Sequence, residues 1–175
     1  MASEDYEGVS IEEVLGEILD LYPETLSFTS ADPETIPEIV ETLTVAAVAI
    51  NLLAIHEFGG RLGPQRSKGL VEQVVGAAFQ TYEGVDPHPD PFDKAAMLLR
   101  GITQGHPFSD GNKRTNFMLA AYYLHQMGYE RPPMEKEDIV AFCLGISAGV
   151  IRDVQEMANR LAIFWKQPYP RSTDF

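Results

Sequence analysis

At 175 residues with 45% apolar content, the chain is long enough for one domain with a sizeable core and short for two. Its formal charge of −13 is lopsided: the first 60 residues hold thirteen acids and no Lys or Arg, and beyond them acids and cations cancel. No basic face large enough to neutralise a run of phosphates is apparent, no apolar run reads as long enough to span a bilayer, and the single cysteine, Cys143, rules out an internal disulfide. Neither a nucleic acid nor a membrane is therefore expected as a partner. The start MASEDYEGVS is acidic where a secretory signal would be basic and then apolar, so a cytoplasmic location is expected. Adaptation to high salt would also give an acidic surface, but it would normally spread the acid along the chain.

In chain order, Ser10 with Glu13 three residues on forms a capping box for a short helix from about 11 to 21, which Pro23 stops. Residues 1 to 34 thus read as an acidic extension with one helix. The proline-bearing stretch 24 to 37 is a loop, and a long helix follows from about 35 or 38 to Phe58. Its apolar run Leu43 to Ile55 is broken by Thr44 and Asn51, and Gly59-Gly60 ends it. The loop GGRLGPQRSKG, 59 to 69, carries Arg61, Arg66 and Lys68 with no acid, and holds the one short hairpin the sequence allows. Apolar residues at helical spacing then predict helices over 70 to 82, 92 to 104 and 111 to 127. The inward residues expected for the last two are Ala95, Ala96, Leu99 and Ile102, then Phe117, Ala120, Ala121 and Leu124. A connector GVDPHPDP spans 84 to 91, RPP interrupts at 131 to 133, and two final helices run over 135 to 147 and 150 to 166. The fold class is all-α, with a domain over 35 to 166 and a tail from 167 to 175.

The chemistry concentrates in HPFSDGNKR, 106 to 114. A helix opening near Gly111 presents unbonded N–H groups at Gly111, Asn112 and Lys113 and the positive end of its dipole, with Ser109 or Asp110 available to cap it. Placing Lys113 and Arg114 there is locally unfavourable by only tenths of a kcal/mol, about what a solvated surface tolerates. On those two residues alone, solvated surface is the simpler reading. The arrangement has a purpose if an anion binds, because Gly111 admits close approach and the Arg114 fork matches phosphate oxygens. His106 and Asp110 tip the balance. An imidazole can take a proton from a hydroxyl near neutral pH, and Mg²⁺ needs only one or two protein carboxylates beside phosphate oxygens. Phe108 between them is a natural anchor into the core.

HPFSDGNKR closely resembles the active-site loop of the Fic/Doc family, H-x-F-x-[DEN]-[AG]-N-[GK]-R, at every specified position. IHEFGG at 55 to 60, DKAAMLL at 93 to 99 and the helix ending in MGY at 127 to 129 extend the likeness toward the Doc branch, over roughly 45 to 166. The resemblance implies a helical Fic/Doc fold with the active-site loop at the N-terminus of a central helix. It implies a transferase acting on a protein hydroxyl (Ser or Thr, or Tyr), using ATP and Mg²⁺. His106 would be the general base and Asp110 the Mg²⁺ ligand. Gly111, Asn112, Lys113 and Arg114 would cradle phosphates, and Phe108 would anchor the loop. Arg61, Arg66 and Lys68 would contact target or anion, although GPQR departs from the usual Doc sequence there. Doc-type toxins transfer the γ-phosphate to a translation elongation factor, and an antitoxin protein would be a further partner.

AMP-transferring members usually carry Gly at the position of Lys113 and a second Arg where this chain has Phe117, so the sequence leans toward phosphoryl transfer. AMP transfer is the alternative, and a non-catalytic nucleotide- or partner-binding module is a third reading, opposed by the intact His106. The string Ser3 to Gly8 fits the loose [ST]-x-x-x-E-[GN] pattern of self-inhibited Fic proteins, but the arginine its Glu7 would pair with is absent. Elsewhere the simpler structural roles hold. His56 serves packing or loop bonding, His88 faces solvent, His125 is a partly buried spacer, and Cys143, Phe164 and Trp165 belong to the core.

Overall fold

The computed structural model describes residues 34–61 and 69–169. The predicted helix over 11 to 21, the Glu7 string, and most of the 59 to 69 loop, with Arg66 and Lys68, lie outside those residues. Six helices are present among the described residues: α1 (Ile36–Phe58), α2 (Leu70–Ala77), α3 (Pro91–Gly105), α4 (Asn112–Gln126), α5 (Lys136–Ser147) and α6 (Val154–Phe164). There is no strand among them, and the architecture is all-α as expected. The one β-type feature is an isolated bridge between Tyr82 and Val85, closed by paired backbone bonds of 2.9 Å around Glu83 and Gly84, both at positive φ.

The helices α3 and α4 form the centre, with α6 against α3, α1 against α4, and α2 spanning α1 and α3. On α1 the buried stripe is Ile39, Leu43, Ala46, Ala47, Ile50, Ala54 and Ile55, recurring every three or four residues as one face of a helix must. Each fully buried Leu or Ile contributes about 1.5–3 kcal/mol. Contrary to the sequence expectation, the 23 residues of α1 are long and apolar enough to match a membrane span by length and composition. The buried stripe of that same helix packs on α4 and α2.

Two helices are shorter than their apolar patterns predict, for identifiable reasons. The helix α2 stops at Ala77, not Tyr82, because the chain turns to bury Phe79 edge-on against Tyr123, ring centroids 5.9 Å apart. There the Lys94 ammonium donates to the Ala78 carbonyl at 3.3 Å and pairs with Asp86 at 2.6 Å, placing a cation at the negative end of α2. At α6, Asp153 accepts from the Glu156 amide at 3.0 Å, so the helix starts at Val154 and not at 150.

The sequence predicts an inward set of Phe117, Ala120, Ala121 and Leu124 on α4, yet the helix is buried on every side from Thr115 through Leu124. Its polar members survive there because they are bonded. Asn116 donates to the Thr103 hydroxyl at 2.7 Å, which in turn donates to the Leu99 carbonyl at 2.8 Å, stitching α4 to α3. Phe117 is 2% exposed and tilted against Trp165. Trp165 and Cys143 sit in the core as expected, Phe164 is partly buried against it, and burial pushes the Cys143 thiol up to about 12.

Candidate active site

The connection from α3 to α4 is residues 106 to 111. His106 ends α3 in the left-handed conformation, φ +43, its amide donating to the Ile102 carbonyl at 3.2 Å, and its side chain is exposed. A non-glycine residue at such φ is uncommon, and asparagine, aspartate and histidine are the side chains found there most. Two residues on, Phe108 is buried in the core at 4% exposure. The Asn112 carboxamide clamps the backbone of Phe108 from both sides. It accepts from the Phe108 amide at 3.1 Å and donates to the Phe108 carbonyl at 2.8 Å. With its side chain engaged in holding the loop, Asn112 has its backbone N–H to offer an anion. That amide and the one at Lys113 lie in the first turn of α4, where no preceding carbonyl can take them.

Asp110 does not cap that turn in the way its position suggests. One carboxylate oxygen accepts from the adjacent Gly111 amide at 2.6 Å, and the other from the Arg61 amide at 3.0 Å. The bonds from Arg61 and Gly111, in that order, hold the carboxyl below its ordinary range, helped by the Arg114 charge and opposed by burial. Asp110 is therefore a secured carboxylate, and its two bonds tie the loop to the residues after α1. Gly60 belongs to the same contact, since a Cβ there would stand 3.0 Å from the Asp110 oxygen.

Arg114 adds a second tie. Its guanidinium donates to the Gly59 carbonyl at 2.7 Å and lies over the Phe58 ring, 5.7 Å from its centroid. Lys113, one residue before it, is exposed. The structure thus brings Asp110, Gly111, Arg114 and the backbone of Arg61 into one bonded cluster, with Asn112 and Lys113 at the adjoining helix start and His106 at the far end of the same loop. The Arg61 side chain is exposed, and only its amide takes part.

Two residues that support the loop were not singled out from sequence. Asn51 on α1 donates to the Asp110 carbonyl at 2.9 Å and to the Thr115 hydroxyl at 3.1 Å, and Thr115 donates to the Gly111 carbonyl at 3.0 Å. The signal in the sequence was the polar interruption at Asn51 in an apolar run, which alone does not say what it bonds. The glycine at 111 is required twice over: its φ is +77, and a Cβ would meet the Asn51 nitrogen at 2.7 Å.

The remaining histidines stay apart from the cluster. His56 pairs with Glu57 at 2.7 Å on the surface, and His125 is partly buried on α4. His88 is half-buried, with its Nδ1 out of reach of solvent, and not the solvent-facing side chain expected between two prolines. Among the described residues no three His, Cys, Asp or Glu side chains gather as they would to hold a metal by themselves.

Known proteins share sequence with the stretch that holds this loop. Residues 42–124, within the expected 35 to 166 domain and ending well short of its C-terminal limit, match the model of the Fic/DOC family. A curated relative, Toxin Doc of Mycolicibacterium smegmatis (strain ATCC 700084 / mc(2)155), is 41% identical over 73 residues, which cover 42% of this chain and 55% of that one. The chain thus spans about half the length of that relative. Residues 42–124, which hold most of α1 and the whole loop before α4, are thus similar to the Fic/DOC family, and the curated relative puts that likeness on its Doc side.

Proposed function

We propose that the protein is a Doc-type transferase that moves the γ-phosphate of Mg-ATP to a Ser or Thr hydroxyl of another protein, with a translation elongation factor as the target the family resemblance suggests. The observation that carries this reading is the loop of residues 106 to 114. A fixed carboxylate, unbonded helix-start amides and two cations adjoin there, and an exposed imidazole stands at the loop's other end.

The donor set fits one magnesium ion. Mg²⁺ commonly takes one or two protein carboxylates and completes its shell with phosphate oxygens and water. Asp110 is kept ionised, and after its two backbone bonds each oxygen retains a lone pair. When bound there, the metal supplies charge neutralisation on the phosphate oxygens. The chain's own groups do the rest. His106 takes the proton of the attacking hydroxyl. The Asn112 and Lys113 amides, the Lys113 ammonium and the Arg114 guanidinium meet the charge on the phosphates. Phe108 and the Asn112 carboxamide keep the loop from drifting.

Phosphoryl transfer is favoured over AMP transfer by Phe117. Where the resemblance would put a second arginine in AMP-transferring members, this side chain is buried against Trp165 and offers no charge to a nucleotide. A toxin role with an antitoxin partner belongs to the same proposal and is supported by the name of the curated relative, and a cytoplasmic site of action is proposed with it because the proposed reaction consumes ATP.

The test is incubation with γ-labelled or α-labelled ATP and a cell extract. Label in protein from the γ-position supports the reading. Label from the α-position means AMP transfer, and no label from either overturns a transferase. His106→Ala should abolish transfer while leaving the circular dichroism spectrum and melting temperature near those of the parent protein. Retained transfer would remove His106 as the base.

A further inference from the structure

Asn51 is a buried carboxamide, 4% exposed, in the apolar face of α1, and the proposed reaction gives it no part. Both of its N–H bonds are committed, to the Asp110 carbonyl at 2.9 Å and the Thr115 hydroxyl at 3.1 Å. A carbonyl can only accept, so the nitrogen of Asn51, and not its oxygen, must face Asp110. The Thr115 hydroxyl, having accepted from Asn51, passes its own proton to the Gly111 carbonyl at 3.0 Å. The Asp110 carbonyl is therefore drawn inward toward α1, and the Gly111 carbonyl, which also accepts from the Arg114 and Thr115 amides at 3.1 and 3.0 Å, is held toward the body of α4.

Peptide geometry turns this into a statement about the other side of the loop. The C=O and N–H of one trans peptide point in opposite directions, and no peptide bond in the described chain is cis. Drawing the Asp110 carbonyl inward therefore sends the Gly111 N–H outward. Drawing the Gly111 carbonyl inward does the same to the Asn112 N–H. The first meets the Asp110 carboxylate at 2.6 Å and holds that side chain in place. The second, at the start of α4, is left to an incoming anion. Gly111 makes the arrangement possible, since any Cβ would collide with the Asn51 nitrogen at 2.7 Å.

We propose that Asn51 is a positioning residue for the phosphate site: it touches no substrate but directly fixes the peptide plane that aims the Gly111 amide at the Asp110 carboxylate, and through Thr115 it braces the next plane, whose amide faces a bound polyphosphate. The proposal rests on the phosphate-binding reading above. It adds that the loop's outward chemistry is set from inside, by a side chain 59 residues earlier in the chain.

The experiment uses ¹⁵N-labelled full-length protein and four variants. Asn51→Asp keeps the size and removes both donors. Thr115→Val keeps the shape and removes the hydroxyl, while Thr115→Ser retains it. Leu43→Ala opens a cavity elsewhere on α1, where the side chain is fully buried, as a control for simple loss of stability. The Gly111 and Asn112 amide resonances should move in Asn51→Asp and Thr115→Val and stay near parent values in Thr115→Ser and Leu43→Ala. Affinity for ATP, and for pyrophosphate as a simpler polyanion, should fall about tenfold or more in the first pair, as expected on losing a charge-assisted bond, and hold in the second. Unmoved resonances in Asn51→Asp and Thr115→Val, or an affinity loss matched by Leu43→Ala, would overturn the proposal. If the parent protein bound neither ATP nor pyrophosphate, the nucleotide reading would fall, and the resonances would still show whether Asn51 orients the loop.

Discussion

Replacing Gly111 with alanine should destabilise the protein by about 3 kcal/mol, about half of it from one contact. The backbone at 111 has φ +77, a conformation that costs an L-residue roughly 1–2 kcal/mol. The added Cβ would also stand 2.7 Å from the Asn51 nitrogen and 3.4 Å from Ile55 Cγ1, and something must move. Asn51 is not a loose side-chain end: it is buried and held by two bonds, so moving it weakens its bonds to Asp110 and Thr115. Each such bond is worth about 0.5–1.5 kcal/mol, and more when a buried partner is left unsatisfied. Gly128 supplies the control. Its φ is +86 and nothing lies within 4 Å of the position a Cβ would take, so Gly128→Ala incurs the backbone term alone, roughly 1–2 kcal/mol. Urea denaturation of both variants, followed at 222 nm, reads the difference directly. A gap of about 1–3 kcal/mol between the two is expected from the bonds at stake. Equal losses would refute the reasoning, because the Asn51 contact would then carry no energy.

Asp110 contributes to the acid side of stability. Its folded-state pKa is lowered, so its stabilisation is present above the unfolded value of about 4 and is lost as pH falls through the lower folded one. The stability gap between the parent protein and Asp110→Asn should be constant near neutral pH and shrink below about pH 4; a gap that stays level into strong acid would contradict the two amide bonds. Lys94→Met should cost about 3 kcal/mol in the same urea assay, at the lower end for a broken buried pair because Asp86 keeps some solvent and the His88 amide. A loss below about 1 kcal/mol, the range of surface pairs, would show that the Lys94 contacts carry little. Cys143, pushed up to about 12 by burial, should resist iodoacetamide at pH 8 in the folded protein and react fully in urea, as read by mass spectrometry.

Much of this protein was written locally. Apolar residues spaced three and four apart located the core helices, and the nine residues from His106 to Arg114 carried the candidate chemistry as one contiguous string that could be read without knowing the fold. Local pattern failed where a distant group intervened. The helix α2 ends early because Phe79 turns in on Tyr123 and Lys94 takes a carbonyl at that end. The stripe expected on α4 became burial on all sides because neighbouring helices cover it all round. The roles of Asn51, of the Arg61 amide and of the Gly59 carbonyl depend on bonds to residues 59, 49 and 55 positions away. Periodicity in a sequence reports which face of one helix avoids water, because that preference is a property of each side chain and its near neighbours. Which polar group meets which across two helices depends on how those faces pack, and that is settled only when the whole core closes.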